Sequence, residues 1–162
     1  IDAAREFYGE VMGFGQGRSD TRWTDWNVEG HQVVTHMVDD YTAPVAGHNV
    51  VDGHQVPVPH FGLVLSPERF QELAARMTER GTEFVIEPYV RFQGEPGEQW
   101  TMFFLDPSGN AMEFKAFASM DQLFAVCRAP PPRATPQPVV SWITTSRLSS
   151  AGAFATDARA RV

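Results

Sequence analysis

The chain has 162 residues, 13 Lys+Arg against 20 Asp+Glu, a formal net charge of -7 and 43% hydrophobic residues. That is the length of one domain, or of two small modules sharing a core, and it is apolar enough to fold. The acidic balance excludes the usual nucleic-acid binder, no apolar run reaches the ~20 residues of a membrane span, and the single cysteine, Cys127, fits a reducing, cytoplasmic setting.

Taken in chain order, Asp2 is placed to cap a helix whose apolar Ala4, Phe7, Tyr8 and Val11 recur at helical spacing and which ends near Gly13. Strand-like stretches follow at 15–19, 23–28 and 31–38, with a turn at Val28-Glu29-Gly30. Residues 47–59 are punctuated by Gly and Pro and read as a connection, with His48 and His54 as loop residues. A strand is predicted at 60–65. Ser66-Pro67 then opens a second helix, with Phe70, Leu73, Ala74 and Met77 on one face and Gly81 at its end. Further strands are predicted at 83–86, 100–105 and 111–117, the last two joined through Asp106-Pro-Ser-Gly109.

Aligning Gly30 on Gly109 superposes the two halves, so the chain reads as an internal duplication of a helix followed by three strands. The second unit also has a strand before its helix. A matching first strand is expected upstream of Ile1, which makes the first unit N-terminally truncated. The fold class expected is α+β, with a first module at 1–46, a connection at 47–59, a second module at 60–126 and a tail at 127–162. The boundary at 127 follows from charge: residues 1–126 carry 8 basic and 19 acidic residues, whereas 127–162 carry 5 arginines and one acid. The tail also holds five prolines between Pro130 and Pro138, the composition of a flexible segment.

Strand parity selects the residues able to carry chemistry. Phe61, Leu63 and Leu65 share one face of their strand, leaving His60 on the other. In 111–117, Met112 and Phe114 read as core, and Glu113 and Lys115 face away with His60. A carboxylate at a central strand position is costly to bury unless paired or bound to metal. His and Glu on neighbouring strands begin a 2-His-1-carboxylate site, or are a strand-start His beside a Glu on an open face. Gln32, Val34 and His36 share a face in the first unit; His36 is placed as a proton donor or acceptor, or is simply solvated. Tyr89 and Arg91 precede a Gly-containing loop and line a binding mouth or an ordinary edge. Trp23, Trp26, Trp100 and Phe104 form either an aromatic pocket or core. His31 is assigned to its turn and Cys127 has no catalytic role.

Ala4-Arg-Glu-Phe-Tyr-Gly-Glu-Val-Met-Gly13, Pro59-His-Phe-Gly62 and Phe103-Phe-Leu-Asp-Pro-Ser-Gly-Asn-Ala-Met-Glu-Phe114 resemble the vicinal oxygen chelate superfamily of glyoxalases, extradiol dioxygenases, fosfomycin-resistance enzymes and bleomycin-binding proteins. The resemblance implies paired βαβββ modules whose sheets form a cup around a divalent ion (Fe2+, Mn2+, Zn2+ or Ni2+). It makes His60 and Glu113 metal ligands and puts a first-module His upstream of Ile1. Val34 stands where the first module would carry a second Glu, which argues against the four-ligand glyoxalase arrangement. The implied activity is that of a metal-dependent enzyme on a small substrate with vicinal oxygens, most like an extradiol dioxygenase or related lyase or isomerase. His36 and Tyr89 are then the catalytic candidates, and Gln32, Arg91 and Phe104 the substrate-binding ones. The alternatives are a metal-free sequestering protein and an incomplete site. A homodimer is also implied, without nucleic-acid or membrane partners.

Overall fold

Ser66 has extended backbone angles, and its hydroxyl accepts the Arg69 amide at 3.2 Å; with Pro67 as first helical residue, this starts the helix Pro67–Glu79 (α2). Phe70, Leu73, Ala74 and Met77 are buried along one face of α2, as their spacing requires. The computed structural model describes residues 1–44 and 47–124. The expected tail at 127–162, Cys127 included, lies outside the described residues.

The first helix (α1) has one α-helical turn, Asp2–Ala4, and continues as a π-helix over Arg5–Val11; the Met12 amide reaches the Phe7 carbonyl, five residues back, at 2.9 Å. Asp2 is not its cap. It lies inside the first turn and pairs with Arg5 at 3.1 Å. Strands β1 (Gly15–Ser19), β2 (Trp23–Val28) and β3 (His31–His36) form an antiparallel sheet in that order. Residues 37 and 38, expected in the last of these strands, lie beyond its end.

The connection at 47–59 is not a loop. It contains an antiparallel hairpin, β4 (His48–Val51) and β5 (His54–Pro57), with Val51 opposite His54. Asp52 and Gly53 at its tip have φ of 51° and 80°, the consecutive positive angles of a type I′ turn. Pro57 occupies the last position of a two-stranded ribbon, where a missing amide is tolerated.

The second sheet has the order β6-β9-β8-β7, from β6 (Phe61–Leu65), β7 (Phe84–Arg91), β8 (Gln99–Leu105) and β9 (Ala111–Phe117). β6 runs parallel to β9, with Gly62 beside Glu113, and the other pairs are antiparallel. The match of β1, β2 and β3 to β7, β8 and β9 reproduces the duplication read from the sequence.

One core joins the two units. Tyr8 stacks on Trp26 with centroids 5.7 Å apart, Phe7 lies 6.1 Å from Phe104, and Phe14 lies 6.3 Å from Phe114. Arg76 of α2 donates to the carbonyls of Val11 (2.9 Å) and Glu10 (2.8 Å), covering acceptors that the end of α1 leaves free. The three-stranded and four-stranded sheets each contribute residues to this core.

Candidate metal centre and its hairpin

β9 buries Met112, Phe114 and Ala116 and turns Glu113 and Lys115 to the opposite, open face. β6 buries Leu65, and His60 stands just before its first residue. His60 Nε2 and Glu113 Oε2 are 3.2 Å apart, with side chains 29% and 13% exposed. Thr101, opposite Lys115 on β8, donates its hydroxyl to Glu113 Oε1 at 2.9 Å, and Lys115 Nζ is 3.1 Å from the same oxygen. The ring of Phe103 meets the His60 ring edge to face, centroids 5.1 Å apart.

The donor chemistry decides whether a divalent ion fits here. His60 Nδ1 lies 2.8 Å from the Pro57 carbonyl oxygen. A carbonyl only accepts, so Nδ1 carries hydrogen. Nε2 then faces the carboxylate either as the second N–H of an imidazolium or as a lone pair that needs a cation between them. A backbone carbonyl holding the distal nitrogen is the usual way of orienting a ligating histidine. A separation of 3.2 Å also suits neighbouring donors on one ion bound at about 2.1 Å. His60 and Glu113 therefore fit a metal as two of its ligands. Among the described residues no group of three His, Cys, Asp or Glu side chains converges.

The hairpin β4–β5 lies against this face. Beyond the Pro57 contact at its base, the His54 ring packs against Tyr89, tilted by 34° with centroids 4.7 Å apart, and Asp52 at the tip pairs with Arg91 Nε at 2.5 Å. Burial pushes the Tyr89 phenol above its ordinary pKa; Arg91 opposes this, and Asp52 and Glu113 reinforce it. β7 runs past the expected strand end at 86 and carries Tyr89 and Arg91, and the hairpin tip engages both. Between hairpin base and sheet is a cavity of about 330 Å³ with His48, His60, Leu105 and Asn110 among its lining residues. His48 and His54, read as loop residues, are part of this roof.

Other expectations resolve differently. Phe104 is not on the open face: it is fully buried between Phe7, Phe84 and Phe114, and parity gives the face to Phe103, directly opposite Glu113. Phe104 is therefore a core residue and not the substrate contact expected. β8 is buried on both sides, so its apolar run carried no alternation from which parity could be read. Gln32 and His36 are exposed on β3. His36 lines a different cavity of about 460 Å³ with Val34, Tyr41 and Phe61, and it is not brought to His60. The buried carboxylate on that module's open face is Asp25, opposite Val34 and held by Arg18 at 3.1 Å, a position that no sequence motif marks.

Two modules of helix and antiparallel strands around one core define an α+β protein of paired modules, with a His–Glu pair on an open sheet face. The chain belongs to the Glyoxalase/Bleomycin resistance protein/Dioxygenase superfamily, whose family model matches residues 1–114. A glyoxalase/bleomycin resistance protein/dioxygenase from Alicyclobacillus acidocaldarius is 26% identical, with a TM-score of 0.61 over 76% of this chain and 88% of that one. The fosfomycin resistance protein FosX from Listeria monocytogenes (15% identity, TM-score 0.53, 75% and 87% covered) shares the fold. So does a glyoxalase/dioxygenase from Nostoc punctiforme (15%, 0.53, 73% and 84%). Among curated proteins none matches this chain. Among the described residues no helix is long and apolar enough to cross a membrane.

Proposed function

We propose that the protein is a metal-dependent enzyme of the superfamily that acts on a small substrate with vicinal oxygens, most like an extradiol dioxygenase or a related lyase or isomerase. The observation that carries this is the approach of His60 Nε2 to Glu113 Oε2 at 3.2 Å, with Nδ1 tied to a backbone carbonyl. His60 and Glu113 would hold Fe2+, Mn2+, Zn2+ or Ni2+; the bound ion supplies Lewis acidity and open positions for adjacent substrate oxygens. The chain's own residues do the rest. Phe103 fixes the His60 ring, Thr101 orients Glu113, and the hairpin covers part of that face. Tyr89, on β7 against His54 of the hairpin, is the hydrogen-bond donor of the site. His36 lines the second, neighbouring cavity and Gln32 is exposed on β3; the two serve this reaction only if a partner copy supplies them. A homodimer is part of the proposal, supported by the free edge of β3 and the exposed Val34, Met37 and Val38 beside it. A cytoplasmic location is proposed on the single cysteine and the acidic composition.

A metal-free sequestering protein is the second reading, and Lys115 favours it. An ammonium 3.1 Å from Glu113 already neutralises the carboxylate. Elemental analysis of the purified chain, with His60→Ala and Glu113→Ala beside it, separates the two. Near-stoichiometric metal lost in both variants supports the enzyme; no metal after loading with each of the four ions rejects it.

A further inference from the structure

The hairpin β4–β5 is a two-stranded sheet of its own, and among the described residues it pairs with neither of the other two sheets. The shared core takes no side chain from residues 48–57. Val50 is 62% exposed, and Gln55 is exposed as well. What ties the hairpin to the second module lies at its two ends. At the tip are the Asp52–Arg91 ion pair and the packing of His54 on Tyr89. At the base the Pro57 carbonyl meets His60 Nδ1 at 2.8 Å. The tip is held lightly, because the Asp52 side chain is 43% exposed and an ion pair so open to solvent contributes little. Within itself the hairpin is better tied: four cross-strand pairs close on a two-residue type I′ turn. An element bonded more within itself than to its surroundings opens as one piece.

We propose that the hairpin is a movable cover on the His60–Glu113 face, and that Asp52 and Arg91 are positioning residues for His60, acting through it. With the tip closed, the cover keeps the Pro57 carbonyl on Nδ1 and so keeps Nε2 turned to Glu113. With the tip released, the hairpin carries the carbonyl away and the ring is free to turn. The distal contact of a ligating histidine fixes its orientation, so a pair of residues at the tip governs a donor at the base. Arg91, expected from the sequence as a substrate contact, acts here through Asp52 instead. This rests on the proposed site in one respect, that His60 is a metal ligand.

Asp52→Asn combined with His54→Ala tests it. The pair of substitutions removes both tip contacts and keeps the turn, since Asn-Gly suits type I′ as well as Asp-Gly does. In the full chain carrying Cys127→Ser, a nitroxide on Gln55→Cys reads the approach of the hairpin to β7 as broadening of the Tyr89 and Arg91 amides. That broadening is expected to fall at least threefold in the tip variant, with the cross-strand contact of Asn49 and Val56 still seen and the melting temperature unchanged. Zn2+, titrated into the same chains without the nitroxide, is expected to bind more weakly by about the same factor, because only the closed fraction presents His60. Unchanged broadening, loss of the Asn49–Val56 contact, or a melting temperature that falls with the broadening each overturns the proposal. A parent chain that binds no Zn2+ but shows the drop in broadening rejects the metal reading alone. Zn2+ bound equally by the parent and the tip variant rejects this one alone.

Discussion

Gly62 pairs with Glu113 so closely that a Cβ on Gly62 would stand 1.5 Å from the Glu113 carbonyl oxygen. Only glycine allows this approach, and it brings the strand following His60 against the strand carrying Glu113. Gly62→Ala is expected to push β6 from β9, costing about 1–3 kcal/mol of stability, the range for overpacking. Apparent affinity for divalent ions should fall at least tenfold, because one donor stands at the head of β6 and the other on β9. Urea unfolding and calorimetric titration with Mn2+ or Zn2+ read the two effects. Unchanged affinity would mean that the strand spacing does not set the pair.

Lys115 gives a prediction of opposite sign. It holds Glu113 Oε1 at 3.1 Å in competition with any cation approaching that carboxylate. Lys115→Met keeps the side-chain length and removes the charge, and is expected to raise divalent-ion affinity by about tenfold, or 1.4 kcal/mol. A fall in affinity on titration would show instead that Lys115 orients the carboxylate for the ion.

The contact between Arg76 and the end of α1 is testable by stability alone. Its guanidinium reaches two carbonyls of the other module and lies within 3.1 Å of where a Gly13 Cβ would be. Arg76→Met keeps the aliphatic stem packed but leaves the part-buried Val11 carbonyl without its donor, while water replaces the exposed contact to Glu10, at a cost of about 1 kcal/mol. Gly13 has φ of 77°, so Gly13→Ala adds backbone strain to the collision and is expected to destabilise as well. Thermal melts of both variants check this.

Legibility followed periodicity. The α2 face, the Glu29-Gly30 turn and the split of β9 into core Phe114 and outward Glu113 were readable because each element has one wet and one dry side. Phe104 was misplaced because β8 is dry on both faces, and a run of Trp, Thr, Met, Phe, Phe and Leu carries no phase. The hairpin was missed for a different reason: Pro57 and Pro59 outweighed a signal that was present. Asp52-Gly53 between Val50-Val51 and His54-Gln-Val56 is a type I′ pattern, with the two-residue spacing such a turn needs. The contacts of its tip, Asp52 to Arg91 and His54 to Tyr89, span 35 to 39 residues and leave no local trace in the sequence.

Tyr8 ties the first helix to the second module and gives the fold an alkaline limit. Its hydroxyl donates to Asp106 Oδ2 at 3.0 Å, and Asp106 also accepts the amides of Ser108 and Asn110, which builds the β8–β9 turn. Burial, reinforced by the Asp106 charge, raises the phenol far above its ordinary value of 10.0. The folded chain therefore keeps a proton that the unfolded chain gives up above pH 10. The stability this group contributes is complete below pH 10 and falls above it, by about 1.4 kcal/mol per pH unit until the folded phenol itself ionises. Tyr8→Phe removes the titrating group. At pH 7 it should cost about 1–3 kcal/mol, because Asp106 loses a buried donor. Between pH 10 and 11 its stability should decline less steeply than that of the parent chain. Urea unfolding at pH 7, 9, 10 and 11 compares the slopes, and parallel slopes above pH 10 would mean that the phenol ionises as readily in the fold as out of it.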